Sequence, residues 1–130
     1  MYISNDHTLL EFARVGTIED NIEISVYAKE GKIPHLHFYC IQDGRKGCIR
    51  LDVAQYFSHG NKSDRLSKKE LKSFIKWLDE DCHLFKVFNV SLKNYDYICQ
   101  LWNENNPNNT FNFDLIDEPD YSSLNKGGIL

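Results

Sequence analysis

Apolar and polar side chains alternate from Ile22 onward, with Ile22, Ile24, Val26 and Ala28 set against Glu23, Ser25 and Tyr27. That period of two is the mark of a half-buried strand. A second run begins after Ile33-Pro34, with Leu36, Phe38 and Cys40 facing one way and His35, His37, Tyr39 and Ile41 the other. A third places Ile49, Leu51 and Val53 against Cys48, Arg50 and Asp52. Between them lie two turn signals, Glu30-Gly31-Lys32 and Asp43-Gly44-Arg45-Lys46-Gly47. The second carries the stronger signal. A two-residue turn at Gly44-Arg45, with glycine leading, pairs Leu36 with Val53, Phe38 with Leu51 and Cys40 with Ile49. A three-residue loop at 30–32 pairs Val26 with Leu36, Ile24 with Phe38 and Ile22 with Cys40.

The pattern then changes to a helical one. Ser67-Lys68-Lys69-Glu70 is a capping box, and Leu66 and Leu71 flank it as a hydrophobic staple. Leu71, Phe74, Ile75 and Leu78 form one apolar stripe, beside Trp77. A second helix is predicted from about Leu92 to Asn105, with Tyr95, Ile98, Cys99 and Trp102 at the same spacing, ending before Pro107. Phe111, Phe113 and Leu115 alternate like a short strand, and residues 1–21 fit a strand or a short helix. The expected fold is α+β: an antiparallel sheet of three strands or slightly more, with two helices packed on one face. One domain spans 1–130, as a strand meander over 22–54, two helices over 66–106 and an acidic, partly irregular tail over 107–130. The loop 55–65 is expected to be the most mobile segment.

Composition narrows the partners. Net charge is −4, and residues 103–130 account for all of it, five acids against Lys126. No basic stripe of the kind that binds nucleic acid is present, and an acidic end reads as a solvated one. The four cysteines are scattered without a C-x-x-C pair, which fits buried free thiols in a reducing compartment. No apolar run approaches the roughly 18 residues that a membrane span needs, and the N-terminus lacks a signal pattern. A cytoplasmic protein with no membrane partner is therefore expected. The abundance of Asn, Lys and Ile points to an AT-rich bacterial or phage genome.

The predicted register also sets the polar face of the sheet in three rows: Ser25–His37–Asp52, Glu23–Tyr39–Arg50 and Tyr27–His35–Ala54. The first has the residue types of a hydrolytic triad, but its serine lies mid-strand without a nucleophile elbow or oxyanion hole. His35 and His37, two apart on a strand, point the same way and can share a metal, with Asp52 and His59 as further ligands. Tyr27, His35, His37, Tyr39, Arg50 and Asp52 together make a face rich in the side chains that anchor protein interfaces.

Pro34-His35-Leu36-His37-Phe38, with a strand before it and a hairpin and helix after it, resembles small bacterial domains of unknown function that carry Pro-Pro-His-Phe-His after their first strand. The similarity spans about residues 22–80; Ile33 stands for the first proline and Leu36 for the phenylalanine, and residues 81–130 lie outside it. The resemblance implies an accessory role on bacterial chromosomes or mobile elements, such as toxin–antitoxin, phage or anti-defence functions. It carries over only His35 and His37 as a functional pair. The expected function is a non-enzymatic accessory protein that binds another protein, with no catalytic residue, metal or cofactor. The alternative is a metal-dependent enzyme using His35 and His37.

Overall fold

The computed structural model describes residues 12–82 and 92–126. Five strands, β1 (Phe12–Ile18), β2 (Ile22–Tyr27), β3 (His35–Cys40), β4 (Lys46–Arg50) and β5 (Tyr56–Phe57), form one antiparallel meander in chain order. The sheet is thus larger than the three strands of the alternating pattern. β1 comes from the segment for which strand and helix were equal readings, while residues 1–11 lie outside the described ones. β5 comes from the start of the 55–65 loop, where Tyr56 is buried and pairs with Ile49.

Helices α1 (Lys68–Leu78) and α2 (Asn94–Asn105) lie over one face. α1 starts as its sequence demands: Ser67 Oγ accepts from the Glu70 N–H and the Glu70 carboxylate accepts from the Ser67 N–H. Leu71, Phe74 and Leu78 are its buried side. They join Ile98 and Trp102 of α2 and Ile24, Val26, Leu36, Phe38 and Ile49 of the sheet in one core. No disulfide joins the four buried cysteines. Among the described residues no helix is long and apolar enough to cross a membrane.

Two expectations fail on side-chain hydrogen bonding. Phe111–Leu115 is not a strand. Asn103 clamps the Phe111 backbone on both sides, at 2.7 and 2.9 Å, and Asn112 caps a 3-10 turn over Phe113–Leu115, so these backbone groups find partners without a ladder. The acidic end is not merely solvated either. Tyr121 and Leu124 are buried, and the Tyr121 hydroxyl donates to the Arg50 carbonyl at 2.6 Å.

The register between β2 and β3 is the expected one, with Ile22 opposite Cys40, Ile24 opposite Phe38 and Ser25 opposite His37. Between β3 and β4 it is not. Leu36 faces Ile49, His37 faces Cys48, Phe38 faces Gly47 and Tyr39 faces Lys46. Cys40 bonds across to Arg45, leaving Ile41–Gly44 as a four-residue loop closed by Gly44 at φ 76°. Gly44 serves as the last loop residue, not as the first central residue of a two-residue turn. The slip of four positions is even, so the residues of β4 keep their faces while changing partners, whereas Val53, expected to face the core, lies beyond the strand and is exposed.

Tertiary contacts explain the longer loop. Arg45 makes a two-pronged pair with Glu70 at 2.8 and 2.6 Å, and also bonds Asp43 and the Arg65 carbonyl. The arginine and the capping contacts hold the Glu70 carboxyl at about 2, well below its ordinary 4.5. A carboxyl depressed by folding stabilises the native state above its unfolded value and loses that contribution as pH falls through 4.5 toward 2. Glu70→Gln is therefore expected to cost on the order of 2–3 kcal/mol at pH 7 and much less at pH 2.5. Urea unfolding at the two pH values checks this, and an equal loss at both contradicts it.

Candidate functional site

The face of the sheet away from the helices is covered at one end. Phe57 of β5, the 58–64 loop and the 28–34 loop close over His35 and His37. His35 is completely buried, with its ring 4.8 Å from Phe57 and 5.2 Å from Trp102. His37 is half-buried, with the Tyr27 ring stacked on it at 4.0 Å. Glu30 enters from the β2–β3 loop, where Lys29 adopts φ 57°. Such a left-handed residue costs about 1–2 kcal/mol. It is held by Asn106, whose amide accepts from the Glu30 N–H and donates to the Tyr27 carbonyl. His59 enters from the loop after β5.

Four side chains thereby converge. Glu30 Oε1 lies 2.5 Å from His37 Nε2 and 3.5 Å from His35 Nε2; Glu30 Oε2 lies 2.7 Å from His59 Nε2. Two overlapping sets, Glu30–His35–His59 and His35–His37–Cys48, each place one ligand atom per residue within 4.8 Å of the others. His35 belongs to both. Its Nδ1–H donates to the Ile33 carbonyl at 2.7 Å, so its Nε2 bears the lone pair. That atom is buried and has no hydrogen-bond partner. It points instead toward a carboxylate oxygen, one acceptor facing another. Burial drives the His35 and His37 pKa values down, outweighing the pull of Glu30. Burial also pushes the Cys48 thiol up to about 12, which disfavours the thiolate a metal needs from the cysteine set.

His37 and His59 line a cavity of about 440 Å3 along the outer face of β2, β3 and β4; Glu30 and His35 are not part of its lining. The size falls in the range of roughly 300–1,000 Å3 for small-molecule sites.

Of the six side chains expected to form an interaction face, Tyr27, His35 and His37 do come together, but Tyr27 and His37 line a cavity and His35 is wholly buried. Tyr39 stands exposed further along β3. Arg50 lies opposite His35 rather than Tyr39, and Asp52 does not face His37; the two pair with each other at 2.9 and 2.8 Å. The expected rows therefore become Ser25–His37–Cys48–Phe57 and Glu23–Tyr39–Lys46. With Asp52 bound to Arg50, neither the triad row nor Asp52 as a metal ligand survives. Glu30 and Asn106 were missed because loop residues have no periodicity to betray them; the one available signal is an acid placed a few residues before a His-x-His pair. No family model, curated protein or solved structure matches the chain, so the site is read from its own geometry.

Proposed function

We propose that this protein is a metal-dependent enzyme whose divalent transition metal is held by Glu30, His35 and His59. The observation that carries the reading is the buried, unpartnered His35 Nε2 aimed at the Glu30 carboxylate. Two imidazoles and one carboxylate suit zinc or iron and leave coordination positions open for water or substrate. The surroundings fit the same assignment. The Ile33 carbonyl accepts from His35 Nδ1, and His37 donates to Oε1 of Glu30, the supporting hydrogen bonds that ligands of this kind need. Of the three ligands, His59 also lines the cavity, the side from which water or substrate would reach a metal-activated centre.

Metal analysis after zinc or iron(II) loading and dialysis tests this. Wild type is expected to retain about one equivalent and to gain about 2.7 kcal/mol of stability when free metal is a hundred times its Kd. Glu30→Gln and His35→Ala are expected to lose both effects, and Cys48→Ser to keep them. Absence of uptake by wild type sinks the proposal, and loss on Cys48→Ser moves the metal to the thiol set. The exposed pair Tyr39 and Ile41 supports a second reading, a surface for a protein partner. A protein without metal affinity would favour it.

A further inference from the structure

The register that parts Asp52 from His37 puts Cys48 directly opposite it. Side chains so paired have Cβ atoms about 4.5–5.5 Å apart, and His35, two residues before His37, shares their face of the sheet. Both ring nitrogens of His37 lie near the Cys48 sulfur, Nδ1 at 3.5 Å and Nε2 at 3.9 Å. With Nε2–H given to the Glu30 carboxylate, Nδ1 is the nitrogen that keeps a lone pair. Sulfur and nitrogen held on one metal ion at about 2.3 and 2.0 Å stand about 3.5–3.7 Å apart, so this pair is already at ligand spacing. The third donor is His35 Nε2, buried and without a hydrogen-bond partner; with His37 and Cys48 it offers ligand atoms within 4.8 Å of one another. All three residues sit on the paired strands β3 and β4, whereas Glu30 and His59 come from loops. His37 and Cys48 also line the cavity, so an ion entering it meets two of its three ligands there.

We infer that His35, His37 and Cys48 form a second metal site, one for a cuprous ion. It shares His35 with the metal reading above but does not rest on it. Two imidazoles and one thiolate in a trigonal set are donors that suit copper, while a closed zinc site wants four ligands. The Cys48 thiol, pushed up to about 12 by burial, keeps its proton against weakly thiophilic ions; a soft ion displaces it outright. The exchange balances without electron transfer. The S–H bond breaks, an S–Cu bond forms, the proton leaves to solvent and the two imidazoles give their lone pairs. Glu30 then changes part: it is no ligand but the acceptor that orients a metal-bound imidazole. Because His35 has one free lone pair, the copper set and the carboxylate set exclude each other, and the softness of the ion decides which is filled.

The test titrates the full-length protein with copper(I) under argon, against a chromophoric copper(I) chelator. Wild type is expected to withdraw one equivalent. Cys48→Ser and His37→Ala are expected to bind it about a hundredfold more weakly or worse, the upper range for losing even a supporting group. Cys40→Ala, which removes a buried thiol outside the set, is expected to match wild type. X-ray absorption of the wild-type copper protein, which needs no variant to fold, is expected to show one sulfur and two nitrogen neighbours. Copper-loaded protein is expected to take up no zinc. Equal copper affinity in wild type and Cys48→Ser overturns the inference, as do two or more sulfur neighbours, or one copper and one zinc bound together. Copper uptake without zinc or iron uptake leaves this site standing and fails the carboxylate one; the reverse fails this one alone.

Discussion

Phe74→Ala is expected to remove about 3–5 kcal/mol of stability, the range for truncating a buried phenylalanine. Phe74 has no exposed surface, belongs to the central core and meets Tyr121 edge-on at 5.7 Å. The effect should exceed the area lost, because Phe74 joins three parts of the fold. It sits on α1, its ring supports Tyr121, and the Tyr121 hydroxyl bonds the last residue of β4. With a native stability of about 5–15 kcal/mol, that loss leaves the protein marginal. The urea midpoint of the purified variant gives the answer, and a change below about 1 kcal/mol would mean that α1 does not present this face to the sheet.

Gly47→Ala is expected to destabilise by about 1–3 kcal/mol or more although it adds a single methyl group. A Cβ at Gly47 would lie 1.9 Å from Ser63 Oγ and 2.9 Å from the Phe38 ring. Neither neighbour can yield cheaply. Phe38 is core, and Ser63 is buried, donating to the Asp64 carbonyl while accepting from the Cys48 N–H. Moving Ser63 frees the loop that delivers His59, so metal retention should fall together with stability. The double variant Gly47→Ala/Ser63→Gly is expected to recover part of both, since it removes the clashing hydroxyl. Denaturation and metal content across the four proteins of this cycle separate the effects. Strict additivity would show that the two residues do not compete for one space.

A metal enzyme and a partner-binding protein differ here in where they use the sheet. The first uses its covered end around His35 and the second its open end around Tyr39 and Ile41.

Sequence by itself determined what is local or what water decides. The capping box at Ser67 and Glu70 set the start of α1, because both partners lie within one turn. Alternation set which side chains of β2, β3 and β4 face the core, because a residue on the wrong face loses its burial energy. It did not determine how β3 and β4 pair, since an even slip leaves that energy nearly unchanged; the choice fell to Arg45, tied to Glu70 on a distant helix. The same holds for the site. His35 and His37 were legible as a pair two apart on a strand, but Glu30 and His59 reach them from loops. Those loops are positioned by Asn106 and Ser63 through contacts with Tyr27 and Cys48. Asn106 sits in an asparagine-rich run where composition alone offers no reason to single it out. Only tertiary structure could decide that His35 is buried beneath Phe57 and beside Trp102, because the covering groups come from parts of the chain whose own patterns carry no record of what they cover.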